Sequence, residues 1–262
     1  MPGERRSPAV IIGAGRGRRL GPLTAEVPKT LVPVLGRPML EHILAALAAS
    51  GYAPGEVTFI AGYRADVLAR AHPELRIVLN EAWADNNILA SLLCARDRLT
   101  GGFLSSYADI VYRPEAVAKL LASPHAITLV ADTDWRRRYR RRTAHPESDA
   151  EKLRADASGR VLELSRRIAS DAATGEFIGV ALFTAAGAAS LLSAYDAVQA
   201  RFGDDGPFHE GRSLRKAYLI DLLSHMIARG EAVHAVSMHG GYMEIDTTED
   251  AALAETWWQG GG

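Results

Sequence analysis

The chain has little cysteine, little net charge and no long apolar run, and each absence removes a class of function. Cys94 is the one cysteine in 262 residues. An intrachain disulfide is therefore excluded, and a thiolate zinc cluster lacks its ligand set. Lysine plus arginine number 30 against 31 for aspartate plus glutamate, a formal charge of −1. Such a balance offers no global basic field to gather nucleic acid or an anionic membrane. No apolar run approaches a membrane-spanning length. Met1 to Pro8 is polar and basic, and the apolar run behind it is only four residues, unlike a secretory signal. A soluble, cytoplasmic protein is the expectation. No internal repeat, low-complexity tract or linker is visible. His209, His225, His234 and His239 lack zinc-like spacing with acidic partners and read as structural or surface groups.

The apolar fraction, 48%, is ordinary for a globular protein with a full core. Strand and helix signals alternate along the chain. Strands are expected at Ala9–Ile12, Val57–Ala61, Leu75–Leu79, Gly102–Ser106, Ala126–Ala131, Arg160–Leu164, Phe177–Phe183, Val233–Val236 and Tyr242–Ile245. Helices are expected at Glu41–Ser50, Ala65–Ala71, Asn87–Leu99, Pro114–Ala122, Ala185–Arg201, Ala217–Arg229 and Thr248–Glu255. The pattern predicts an α/β fold, a Rossmann-like doubly wound mixed sheet in a single domain over residues 1–262. The polar segment 133–175 reads as a small substrate-side insertion.

The first forty residues are the most informative. After Ala9-Val10-Ile11-Ile12 comes Gly13-Ala14-Gly15-Arg16-Gly17-Arg18-Arg19-Leu20, then Pro22-Leu23-Thr24, Pro28-Lys29 and Gly36-Arg37-Pro38. A strand ending in such a loop suits phosphates, because glycines let backbone N–H groups approach the oxygens. Arg18, Arg19 and Lys29 add charge where a triphosphate sits and where pyrophosphate leaves. Arg18 stands where a dinucleotide fingerprint needs its third glycine, and no Gly-Lys-Ser/Thr ending follows, so two common phosphate motifs are absent. Asp109, just past a strand, and Asp246, between a strand and a helix, supply hard oxygen ligands of the kind magnesium takes. Read alone, each is also a surface turn or a helix cap.

Taken together, positions 13–38 resemble the signature of the sugar-1-phosphate and phosphocholine nucleotidyltransferases. The resemblance implies a GT-A-like nucleotidyltransferase fold, with Gly13, Ala14, Gly15, Gly17, Arg18 and Arg19 around the triphosphate and Lys29 stabilising charge. It implies that Asp109 and Asp246 bind Mg2+, with Asp109 also facing substrate. Glu151-Lys152 matches a pair that in these enzymes contacts the acceptor or the α-phosphate; Lys152 also reads as a solvated lysine. Asn80-x-x-Trp83 with Asn86, Asn87 and Ser91 looks like a stretch of the phosphocholine cytidylyltransferases, and implies cytidine binding; either asparagine at 86–87 also suits a helix cap. Gly175-Glu176-Phe177-Ile178-Gly179 resembles a segment where Glu176 and Gly179 border the substrate pocket. Tyr107 departs from the family, which often carries an acid there.

Two further readings come from residue type. Trp135, Tyr139 and Tyr242 could form an aromatic wall for a quaternary ammonium group. Arg136–Arg138 and Arg140–Arg142 read as a solvated face, with one or two arginines in a lid over an oxyanion. The resulting expectation is an Mg2+-dependent cytidylyltransferase joining CMP from CTP to a small phosphonate or phosphorylated alcohol such as phosphocholine, releasing pyrophosphate. Alternatives are a sugar-1-phosphate nucleotidyltransferase using another NTP, and a non-catalytic nucleotide-binding regulatory domain. Expected partners are the NTP, the acceptor and a second copy in a homodimer, without nucleic acid or membrane.

Overall fold

The computed structural model describes residues 7–259. Met1–Arg6 of the basic N-terminal stretch and residues 260–262 lie outside the described residues. A nine-stranded mixed sheet runs through the centre. Its parallel part is Arg76–Leu79, Val57–Ala61, Ala9–Gly13 and Phe103–Tyr107, in that spatial order. Gly175–Phe183 continues the sheet antiparallel beside Phe103–Tyr107. Ile127–Asp132 pairs with it and carries His234–Met238 at the edge.

The central strands are buried along their length, which is why they read as continuous apolar runs rather than alternating ones. Residues from nearly every strand meet in one apolar core with Ile43, Leu47, Leu92, Leu120, Leu191 and Leu223 of the covering helices. The edge strand Arg76–Leu79 has exposed ends. No helix among the described residues is long and apolar enough to cross a membrane.

The topology places the site. Ala9–Gly13 is flanked by Val57–Ala61 on one side and by Phe103–Tyr107 on the other. The order in which successive strands are laid into the sheet switches sides there, all three strands running parallel, and the loops leaving the two strand ends part to form a crevice. The glycine-rich loop leaves the first of these strands and Asp109 follows the second. The segment 133–175 is not a separate layer: Lys152–Ala155 and Val161–Leu164 extend the sheet beyond Gly175–Phe183.

Two element expectations change. The helix expected over Asn87–Leu99 is two short helices, Ile88–Leu93 and Arg96–Leu99, broken where Ala95 leaves helical geometry at φ −98°, ψ 22°. Lys152 opens a strand of its own instead of preceding one.

Candidate functional site

A cavity of about 400 Å³ lies over the strand ends, lined by the glycine-rich loop, Lys29, Trp83, Asn86, Asn87, Ser91, Asp109 and Asp246. Different constraints hold each part of the loop. A side chain at Gly13 would place Cβ 2.4 Å from the Phe59 ring and 2.5 Å from Ala108, so this glycine serves the packing of the strand ends. Gly15 has open space around its Cα. Gly17 has φ +69°, and a Cβ there would sit 2.7 Å from the Lys29 side chain. Gly17 thus lets the loop cross directly over Lys29. The Tyr63 hydroxyl donates to the carbonyls of Thr24 and Ala25, at 3.0 and 2.6 Å, and fixes the turn that follows.

Asp109 and Asp246 are distant in sequence but share a ribbon. Tyr242–Glu244 pairs antiparallel with Ile110–Tyr112, and the Ile245 N–H donates to the Asp109 carbonyl at 2.8 Å. The two carboxylates therefore face one point, which the Lys29 ammonium occupies. Lys29 Nζ lies 2.9 Å from Asp109 Oδ2 and also pairs with Asp246. Burial acts to lower the lysine's proton affinity, but the two acids outweigh it and hold the ammonium charged. Burial likewise opposes ionisation of Asp246, yet Lys29 and Arg19 bring its pKa down to about 2. Glu244 moves the other way: burial and the neighbouring Asp246 and Asp109 charges push it well above the usual carboxylate range. Three carboxyl groups converging on one point supply the hard oxygen donors that a divalent cation takes.

Arg19 joins the loop to the ribbon through Asp246 and to the inserted segment through Asp149 at 3.0 Å. Lys152 follows in that segment. Its side chain is buried, with no carboxylate partner among the described residues and a single long contact to the Glu147 carbonyl at 3.5 Å. Burial, with the nearby Arg166 charge, pulls its proton affinity below the ordinary lysine value.

Asn80 is buried behind the cavity wall, where it exchanges two amide hydrogen bonds with Asn86, at 2.8 and 2.9 Å, and donates to Ser91. Asn86, which lines the cavity, retains one amide N–H and one carbonyl lone pair beyond these bonds. Asn87 caps the helix Ile88–Leu93 by accepting from the Ile88 N–H, and also lines the cavity. Trp83 rests against Gly62, where a Cβ would lie 2.5 Å from the indole side chain, and meets Tyr63 edge-on at 5.4 Å. Trp83, which the Asn80–Ser91 stretch carries without an assigned role in the sequence, thus forms part of the cavity wall.

Four expected substrate contacts prove to be interior. Trp135 is 2% exposed and packs on Tyr139 and Ala150. Tyr242 is buried with the Arg138 guanidinium 4.6 Å from its ring, so no cation cage opens there. Glu176 is spent on Arg138 at 2.7 Å and on the Tyr139 hydroxyl at 2.6 Å. Gly179, with φ +82°, lies against the Tyr107 ring, which a Cβ would approach to 2.4 Å. Tyr107 in turn donates to Glu151 at 3.1 Å, so the residue that departs from the family pattern is part of the packing.

The arginine run divides. Arg136, Arg137, Arg140 and Arg141 are exposed, whereas Arg138 and Arg142 are buried. Arg138 pairs with Asp132 and Glu176, and Arg142 donates to the Glu244 carbonyl at 2.8 Å and faces Asp250 at 3.0 Å. These two tie the inserted segment to the sheet and to the ribbon that carries Asp246.

Residues 9–204 match the family described as the MobA-like NTP transferase domain. The chain is 27% identical over 252 residues to the CTP:phosphoglutamine cytidylyltransferase of Campylobacter jejuni, covering 92% of this chain and 96% of that protein. It is 32% identical over 113 residues to the 2-aminoethylphosphonate cytidylyltransferase of Lancefieldella rimae, covering 42% of this chain and 45% of that one. The fold superimposes on the CTP:phosphocholine cytidylyltransferase of Streptococcus pneumoniae with a TM-score of 0.69 at 22% identity, over 95% of this chain and 97% of the other. At that identity the likeness is one of fold.

Proposed function

The chain belongs to the MobA-like NTP transferase family and is a nucleotidyltransferase; from that premise we propose that it joins CMP from CTP to a small phosphonate or phosphorylated acceptor, releasing pyrophosphate, with Mg2+ as its metal. The observation that carries this reading is the Lys29 ammonium held between Asp109 and Asp246 beneath a glycine-rich loop. In this reading an oxygen of the acceptor's phosphate or phosphonate attacks the α-phosphorus. The bond from that phosphorus to the bridging oxygen breaks, and its electron pair leaves with pyrophosphate. The attacking oxygen is already anionic, so no general base is required.

The loop N–H groups, Arg18 and Arg19 hold the triphosphate. Lys29 offsets charge gathering at the α-phosphorus. Lys152 carries an ammonium that burial leaves without a carboxylate, and it draws the acceptor oxyanion toward the nucleotide. Asp109 and Asp246 would hold magnesium, which when bound withdraws charge from the phosphate oxygens. Asn86, braced by Asn80, presents a donor and an acceptor that suit a pyrimidine edge, and Trp83 offers an apolar face beside it. The relatives named for CTP and for phosphoglutamine or 2-aminoethylphosphonate support the choice of cytidine and of a small acceptor.

The test is pyrophosphate release with Mg2+, each of the four NTPs, and phosphocholine, 2-aminoethylphosphonate, phosphoglutamine or glucose 1-phosphate. Release selective for CTP with one of the first three supports the proposal. Release only with glucose 1-phosphate and another NTP replaces it by a sugar-phosphate reaction.

A further inference from the structure

Beneath Asp246 lies a histidine that the reaction above does not use. His145 is fully buried. Its Nδ1 is 3.1 Å from Asp250 Oδ2. An ionised carboxylate only accepts, so Nδ1 carries the proton and Nε2 presents its lone pair. Nε2 is enclosed yet has no hydrogen-bond partner among the described residues. It points toward acids: Glu244 Oε2 is 3.4 Å away, and the ligand atoms of His145, Glu244 and Asp246 all lie within 4.8 Å of one another.

The support behind the ring is equally specific. Asp250 Oδ2 also accepts from the backbone N–H groups of Asp246 and Thr247, both at 2.9 Å, and Arg142 faces its other oxygen. The Tyr139 ring stands perpendicular to the imidazole at 5.7 Å and limits its rotation. A histidine whose far nitrogen donates to an anchored carboxylate, leaving its near nitrogen bare, is how proteins orient an imidazole toward a metal.

We propose that His145 Nε2, Glu244 and Asp246 form a binding site for a divalent cation softer than magnesium, of the Mn2+, Co2+ or Zn2+ class. One nitrogen with two carboxylates favours these ions, whereas magnesium prefers an all-oxygen shell. Lys29 and Arg19 occupy one direction on each Asp246 oxygen, and each oxygen retains a second lone pair. Glu244 and Asp246 keep side-chain exposures of 23% and 14%, which leaves a route in from the solvent side. The site requires no nucleotide and stands whether or not CTP is the substrate.

The experiment uses the full chain, stripped of metal with a chelator and titrated with Co2+ alone. Visible absorption reports nitrogen-containing coordination, and calorimetry with Co2+ and Mn2+ gives stoichiometry. One ion per chain is expected, with affinity falling at least about tenfold in both His145→Gln and Glu244→Gln. Asp109→Asn should retain it, which separates this site from the proposed magnesium pair. Circular dichroism confirms that each variant is folded; Glu244→Gln, at a partly exposed position, serves if His145→Gln is not. Absence of Co2+ and Mn2+ binding at millimolar concentration, or binding unchanged in the folded variants, overturns the proposal. So does binding that is lost in Asp109→Asn but kept in Glu244→Gln.

Discussion

Replacing Lys29 by methionine removes the positive charge between two carboxylates while keeping most of the side-chain volume. The Lys29 and Asp246 side chains are 10% and 14% exposed, and that of Asp109 is 32% exposed. Deleting one member of a buried pair costs roughly 3–5 kcal/mol, because the remaining charge is left uncompensated. Water at Asp109 softens that figure here, to about 2–3 kcal/mol. A domain of ordinary stability, about 5–15 kcal/mol, survives the loss and stays folded. Turnover suffers more sharply. Removing a group that meets charge in the transition state lowers kcat by roughly 10²–10³, with a smaller change in KM for CTP. The proposed metal pair adds a discriminating arm: Mg2+ should restore stability to Lys29→Met more than it stabilises the parent, since Asp109 then loses its ammonium partner and Asp246 keeps only the exposed Arg19. Urea unfolding with and without MgCl2 gives the first quantity, and pyrophosphate release gives the second. A kcat within threefold of the parent in folded Lys29→Met refutes the assigned role. Equal stabilisation of both proteins by Mg2+ refutes the electrostatic argument behind it.

Lys152→Met should leave the melting temperature unchanged or raised, because burial already disfavours the ammonium. The sign follows from linkage: a lysine whose folded pKa lies below its unfolded value costs stability at lower pH, and the cost disappears as pH rises past the unfolded value. The same variant should lower kcat/KM for the acceptor. In the parent that parameter should fall as pH rises through a value below 10.5, a limb absent from Lys152→Met; a pH profile over the alkaline range checks both statements. Gly179→Ala combines φ +82° with a Cβ 2.4 Å from the Tyr107 ring, and should cost about 2–4 kcal/mol in urea unfolding. A stable Gly179→Ala with a raised acceptor KM would instead return Gly179 to the substrate pocket.

What the sequence disclosed and what it hid divide by physical range. The glycine-rich loop is legible because its constraints are local. A buried strand, a turn needing positive φ at Gly17 and a cation nearby all fall within about twenty residues, Ala9 to Lys29. Asp109 and Asp246 stood out because each follows a strand, where α/β sheets carry ligands. The supports of those groups are contacts between distant segments, and no local pattern encodes them. His145 meets Asp250 across 105 positions, and Arg142 reaches the Glu244 carbonyl across 102. From composition the arginine run is uniform, but packing sorts it by direction. Arg138 and Arg142, four apart, turn inward, and the intervening Arg140 and Arg141 stay exposed.

Trp135, Glu176 and Tyr242 show the converse error: residue types fit for a ligand were already committed to one another. Burying Arg138 demands partners, and Asp132 and Glu176 neutralise it while Tyr242 covers its face. Once a buried guanidinium has claimed the carboxylate and the aromatic face, neither remains for an acceptor's ammonium. In the proposed reaction the acceptor would then be read by groups left uncommitted in the same segment. Among the residues expected to meet substrate there, Lys152 is the one whose charge burial leaves without a carboxylate partner. Under the proposed reaction this would put recognition on the acceptor's phosphate or phosphonate oxygens, and tolerance of different alkyl or amino tails is the expected behaviour in the acceptor panel.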